Sequence, residues 1–219
     1  SRRMNSMHFH HRLRTVIAST ALFFFFVAFL GPAQDAHAAP ARDTALDTFQ
    51  TRHAKVIKLV KKKAATKALQ AEVDRLLDYE WLAHKSLGGA GTYEQNCGEQ
   101  CDKFDALLTR LIRENYLRLV RKAKGHEVEY LGQVKGKKGD AYLVKTKLTL
   151  TKEGRDQVVS VNYVMRKMDG RWVVNDIITD DVSLAKTYRY EFNKIMKSEG
   201  IAGVIRKLED KLDNLDVPR

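Results

Sequence analysis

An α+β fold, with helices covering one face of an antiparallel sheet, is what the sequence predicts. Three observations carry it. Apolar residues recur at three- and four-residue steps up to about residue 124, alternate with period two from 127 to 179, and return to the helical step after Val182-Ser183. The 219 residues carry 39 Lys+Arg against 27 Asp+Glu, a net charge of +12, and are 44% hydrophobic. That balance excludes a polytopic membrane protein and a low-complexity chain. A chain of this size should bury roughly 70% of the surface its unfolded form exposes, enough for a core without metal or disulfide support.

The opening stretch differs from the rest. Arg2, Arg3, Arg12 and Arg14 precede an apolar run from Val16 to Leu30 containing Phe23-Phe24-Phe25-Phe26, and Ala36-His37-Ala38 closes it. Basic, apolar and small-x-small regions in that order describe a secretory signal peptide, residues 1–38, with 39–219 as a single folded domain. A retained membrane anchor shares the pattern, but about fifteen apolar residues are short for a roughly 30 Å hydrocarbon core. Without residues 1–38 the chain keeps 35 basic and 26 acidic residues, a net +9. Export argues against nucleic acid as the partner of this charge, and favours anionic lipid headgroups or acidic protein surfaces.

Segment 42–87 reads as helix in two pieces. Leu46, Phe49, His53, Val56, Ile57 and Val60 stripe the first, with Lys55, Lys58, Lys61, Lys62 and Lys63 mostly on the other side. Val73, Leu76, Leu77, Trp81 and Leu82 stripe the second, and Gly88-Gly89 supplies the stop. A loop with Cys97 and Cys101 then leads into a strongly amphipathic helix over 102–124, striped by Phe104, Leu107, Leu108, Leu111, Ile112, Asn115, Tyr116, Leu119 and Val120. Three residues between the cysteines is neither a thioredoxin-type nor a haem-attachment spacing. In an oxidising compartment a local Cys97–Cys101 disulfide is favoured over free thiols, and a metal site lacks further ligands nearby.

Four strands follow: Glu127–Val134, Asp140–Leu150, Gln157–Met168 and Arg171–Thr179, separated by turn chemistry that includes Asp169-Gly170. Alternation puts Tyr142, Val144, Thr146, Leu148 and Leu150 on one face of the second strand. It does the same for Val159, Val161, Tyr163 and Met165 in the third, and for Trp172, Val174, Asp176 and Ile178 in the fourth. Leu184, Tyr188, Phe192, Ile195 and Met196 then stripe a helix over 184–198. Gly200 breaks it, and Val204, Ile205, Leu208, Leu212 and Leu215 stripe a terminal helix.

No catalytic constellation stands out. There is no Gly-x-Ser-x-Gly elbow, phosphate-binding glycine loop or His-Glu-x-x-His pair. Asp176 is the best candidate for a buried acid, and with no base beside it a structural hydrogen bond to a strand or helix end is the simpler role. The sequence thus gives no ground for an enzyme, a metal or a cofactor. A small enzyme using Asp176, or an interaction module without cargo, are the alternatives.

A resemblance rests on several segments in order. They are Asp78-Tyr79-Glu80-Trp81-Leu82-Ala83 with Leu87-Gly88, Phe104 through Tyr116, and Gly170-Arg171-Trp172-Val173-Val174-Asn175-Asp176-Ile177. Asp181-Val182-Ser183-Leu184, Tyr188-Arg189-Tyr190-Glu191-Phe192 and Gly200-Ile201-Ala202-Gly203-Val204-Ile205-Arg206-Lys207-Leu208 complete it. Together they resemble the MlaC, or toluene-tolerance auxiliary, family of periplasmic phospholipid-binding transport proteins, over most of residues 45–215. The resemblance implies a curved antiparallel sheet of about four strands covered by helices, nuclear-transport-factor-like, with an apolar pocket for phospholipid acyl chains. It also implies lipid shuttling between an outer-membrane lipoprotein complex and an inner-membrane ABC transporter complex, and no catalytic residues.

For such a carrier the candidate lipid-binding residues are Tyr116, Tyr142, Val144, Val161, Trp172, Val174, Val182, Tyr188 and Phe192, each equally suited to core packing. Two departures bear on the pocket entrance. Asp180-Asp181 stands where relatives commonly have Glu-Gly, and the Cys97/Cys101 insert is not a general family signature.

Overall fold

A computed structural model describes residues 43–122, 128–137, 139–152 and 154–216. The segment read as an export signal lies outside them. The order is helices α1 (Ala45–Lys61), α2 (Thr66–Asp74), α3 (Tyr79–Ser86), α4 (Ala90–Cys97) and α5 (Cys101–Lys122). Strands β1 (Val128–Lys135), β2 (Tyr142–Lys152), β3 (Arg155–Met168), β4 (Arg171–Thr179) and β5 (Val182–Ser183) follow, and helix α6 (Leu184–Asp216) ends the fold. The strands form one open antiparallel meander in sequence order, β1-β2-β3-β4-β5, not closed into a barrel. It is an α+β fold with the helices on the sheet.

The helix starts are set by side-chain caps. The Thr44 hydroxyl accepts from the Asp47 N–H at 3.1 Å to begin α1, and Asp78 accepts from the Trp81 N–H at 3.0 Å to begin α3. Segment 42–87 holds three helices rather than two, because Leu76–Asp78 leaves the helical path to pair with β4. The Val174 N–H donates to Leu76 O at 2.8 Å and the Asp78 N–H to Val174 O at 2.9 Å. Past Gly88 and Gly89, both at positive φ, the chain starts another helix, α4, where the sequence suggested loop. Cys97 and Cys101 are joined by a disulfide, with Cα atoms 4.8 Å apart, which ties the end of α4 across one 3₁₀ turn to the first residue of α5.

The period-two stripes meet the helical stripes in one core that includes Phe49, Phe104, Phe192, Leu108, Leu117, Val144, Met165, Val174 and Leu208, each at most 1% exposed. Burying such side chains contributes about 1.5–3 kcal/mol each. On the opposite sheet face Lys145 and Lys147 are exposed.

One alternation is corrected by the structure. Val164 pairs with Asp176 but Met165 with Val174, so Asn175 is an extra residue in β4, a β-bulge. An inserted residue reverses which face the following side chains use. Trp172 and Val174 therefore share the helix side with Ile177 and Thr179, opposite Tyr163 and Val161, and not with Asp176 and Ile178. The bulged Asn175 is itself buried and donates from Nδ2 to Asp78 Oδ2 at 2.6 Å. The ladder thus continues sideways into the start of α3.

Helix α6 turns sharply at Gly200, at φ 62° and ψ −164°. That conformation is essentially restricted to glycine. It lets the second half fold back so closely that a Cβ on Gly203 would lie 2.9 Å from Ile195 Cγ2.

Candidate functional site

The bulge decides where a cleft forms. Downstream of Asn175, Ile177 and Thr179 face α5 and α6, and the Asp180-Asp181 turn sends the chain back into the two-residue strand β5. Both turn residues have positive φ, 46° and 66°, the backbone of a tight hairpin usually built with Gly or Asn, which Asp also tolerates. The turn is pinned to β3: the Asp180 N–H donates to Ser160 O at 2.9 Å, and the Ser160 N–H to Asp180 Oδ1 at 3.0 Å.

Asp176 fixes the other wall. Its Oδ1 accepts from the Ile177 N–H at 2.9 Å and the Ala185 N–H at 3.0 Å, while the Ser183 hydroxyl donates to Oδ2 at 2.6 Å. Ser183 Oγ in turn accepts from the Lys186 N–H at 3.1 Å. Both carboxylate oxygens are thus engaged by the bulged strand and the start of α6. Asp176 is the buried anchor of a helix N-terminus.

Between α5, β4–β5 and the start of α6 lies a cleft of about 380 Å³. Its floor is apolar, from Ile112, Tyr116 and Leu119 of α5, Ile177 of β4, and Leu184 and Tyr188 of α6. Its rim carries Asn115, Arg118, Lys122, Thr179, Val182 and Thr187. Val182 is 61% exposed, an apolar side chain presented to water at the mouth. Asn115 ties the rim to the wall: the Arg118 guanidinium donates to Asn115 Oδ1 at 2.9 Å, and Tyr188 is hydrogen-bonded to the Asn115 side chain. Burial, and behind it the Glu191 carboxylate, push the Tyr188 hydroxyl up to about 12, so it stays protonated.

A smaller void of about 10 Å³ lies against His53, Val120, Val161 and Tyr163, and Leu119 lines both spaces. His53 Nδ1 lies 3.1 Å from the Tyr130 hydroxyl, and burial holds its imidazole down to about 4. The Tyr116 hydroxyl beside it is buried with no hydrogen-bond partner among the described residues, and its proton is held well above the ordinary range by burial.

Of the nine residues singled out from the sequence, Tyr116, Val182 and Tyr188 line the cleft and Val161 lines the smaller void. Val144, Val174 and Phe192 are fully buried in the core, Phe192 stacked on Tyr188 with ring centroids 5.4 Å apart. Trp172 and Tyr142 pack edge to face at the sheet end under α1, where the Trp172 indole N–H donates to Asp43 O at 3.2 Å. Sequence reasoning missed Ile177 and Thr179, hidden by the bulge. It also missed the rim pair Arg118 and Lys122, whose signal was their place one turn apart on the stripe of Asn115 and Leu119. Among the described residues, no group of three His, Cys, Asp or Glu side chains could hold a metal ion, and no helix is long and apolar enough to cross a membrane.

The family described as MlaC protein matches residues 43–210. No curated protein matches the chain. Among solved structures, the phospholipid-binding protein from Ralstonia solanacearum, in complex with a phospholipid, is similar with a TM-score of 0.63 at 19% identity, over 79% of this chain and 99% of that one. At that identity the likeness speaks for the fold alone. The family match covers all five strands and every helix but the end of α6, and the chain belongs to the MlaC family.

Proposed function

We propose that the chain is a soluble periplasmic carrier that takes phospholipid acyl chains into the cleft between α5, β4–β5 and α6. In this reading it shuttles lipid between an outer-membrane lipoprotein complex and an inner-membrane ABC transporter complex, and so maintains outer-membrane lipid asymmetry. Residues 1–38 serve as the export signal and residues 39–219 as the carrier domain. The observation that carries the proposal is the cleft itself, an apolar floor under a cationic rim, in a member of the MlaC family. The phospholipid held by the Ralstonia solanacearum protein of the same fold supports it.

The physical demands agree. At about 0.8 kcal/mol per buried methylene, two acyl chains of roughly sixteen carbons gain on the order of 25 kcal/mol from leaving water. Cargo held that way does not escape through solvent at a useful rate, so transfer takes place while a membrane or partner covers the mouth. The exposed Val182 is placed for such contact. The cleft, at 380 Å³, sits at the low end of the roughly 300–1,000 Å³ usual for ligand sites. A diacyl lipid therefore has to widen it, and Leu119, shared with the smaller void, is where α5 would part from the sheet. Between α1 and β1, Lys58, Lys61 and Lys62 ring a groove over Ile57, Val128 and Tyr130, suited to an anionic membrane or an acidic docking partner.

The test is native mass spectrometry of protein purified without detergent, then delipidated and offered phospholipid vesicles. Uptake of one or more intact phospholipids is expected. A folded protein that takes up none counts against the carrier.

A further inference from the structure

We propose that Arg118 and Lys122 form a subsite for the phosphodiester of the lipid headgroup, and that this pair makes the carrier select net-anionic headgroups over zwitterionic ones. The inference rests on the carrier reading and goes beyond it by assigning a headgroup class. Four observations on the cleft carry it.

First, Arg118 and Lys122 are one turn apart on the face of α5 that also supplies Ile112, Asn115 and Leu119, so both heads stand over the apolar floor and not on the far side of the helix. Second, the two are exposed at the mouth, and among the described residues no acidic side chain lines the cleft. Asp181 is exposed at the hairpin turn beside Val182, and three other acids of β4, the hairpin and α6 are committed elsewhere. Asp180 accepts from the Ser160 N–H, Asp176 from the start of α6, and Glu191 from Lys211 Nζ at 2.7 Å. Third, Arg118 is held in place by Asn115, which leaves guanidinium N–H groups free of that bond to face outward. Fourth, the backbone N–H groups of Ala185 and Lys186 at the start of α6 are already capped by Asp176 and Ser183, so an anion at this mouth is left to the side chains.

Cations near a helix C-terminus complement its dipole, which accounts for basic residues in the last turns of α5. It does not account for a like-charged i,i+4 pair on the cleft side, an arrangement that is mildly destabilising until an anion sits between the two. A phosphodiester bound there leaves its glycerol ester groups at the rim and its acyl chains on the floor. A headgroup that also carries an ammonium brings a third cation to within about 6 Å of the pair. With water-like screening, two such repulsions give a bias of about tenfold at low salt, and about threefold at physiological salt.

The experiment offers the delipidated full chain mixed vesicles of equal phosphatidylglycerol and phosphatidylethanolamine, and reads the bound lipids by native mass spectrometry. Both lipids share one surface, so general attraction of a basic protein to the membrane cancels. Phosphatidylglycerol should be bound in about tenfold excess at low salt. R118Q/K122Q should lose the excess and take up the lipids in vesicle proportion, while K145Q/K147Q, which removes the same charge from the outer sheet face, should keep it. Wild-type loading in vesicle proportion, or an excess that survives in R118Q/K122Q, overturns the headgroup subsite and leaves the carrier standing. Loading of neither lipid overturns both. Inorganic phosphate separates a lipid site from a general anion site. If it raises the Tm of lipid-free wild type but not of R118Q/K122Q, and millimolar phosphate abolishes the lipid bias, the pair is a small-anion site and the proposal fails.

Discussion

Protonation of His53 should be the main acid lability of this fold, and its size follows from where the ring sits. The imidazole is 5% exposed, 5.0 Å centroid to centroid from Phe49, near Tyr116 and Tyr163, with the Tyr130 hydroxyl 3.1 Å from its Nδ1. Burial lowers its folded pKa from 6.5 to about 4. Between those values the unfolded chain binds a proton that the folded chain does not, so stability falls as pH falls through that window and is fully present above it. At about 1.4 kcal/mol per pH unit the loss from pH 7 to pH 4 is about 3 kcal/mol, a large part of the usual margin of a domain.

His53→Phe keeps an aromatic ring in the slot and removes the titration. Urea unfolding, followed by tryptophan fluorescence at pH 7, 5.5 and 4, should give a steep decline in wild type and a total loss smaller by about 3 kcal/mol in the variant. Asp78, raised by burial, titrates in both proteins and contributes the opposite sign, being stabilising at low pH, so the difference between the two isolates His53. Equal slopes in wild type and variant would refute the assignment.

Two further predictions concern the frame of the cleft. Asp176→Ala leaves the N–H groups of Ile177 and Ala185 and the Ser183 hydroxyl without their acceptor. It should cost about 2–4 kcal/mol in thermal or urea unfolding, with Asp176→Asn costing less because the amide oxygen still accepts. A loss under 1 kcal/mol would mean the anchor is not needed. Gly200→Ala places a side chain at φ 62°, ψ −164° and should cost about 1–3 kcal/mol, read as a lowered urea midpoint with an unchanged slope.

Much of this architecture was legible because most stripes are unbroken. Phe104 to Val120 on α5, and Val159 to Met165 on β3, keep their period from end to end, and each lands with its apolar face inward. Gly200 was readable as a break because few residues other than glycine adopt its backbone. What stayed hidden depended on long-range pairing. Leu76–Asp78 sits in an apolar helical stripe, yet it leaves the helix to hydrogen-bond Val174, a partner about a hundred residues away. The same partnership accommodates Asn175, whose amide donates to Asp78, and alternation alone carries no mark of an inserted residue. Aromatic residues were natural candidates for a pocket, but Trp172, Tyr142 and Phe192 went to packing partners. The cleft instead took Ile177, Leu184 and Leu119.

The bulge at Asn175 divides one strand between two kinds of selective pressure. Up to Val174, β4 is laddered to β3, bonded at Val174 to Leu76 and Asp78, and packed against the helices, so change there is a change in stability. From Ile177 onward the same strand faces a cleft, where change alters what fits, with Asp176 fastening the division. A family built this way could vary what the cleft admits at Ile177 and Thr179 without reopening the core at Val174, three residues upstream of Ile177, and comparing substitution tolerance on either side of Asn175 would expose that separation.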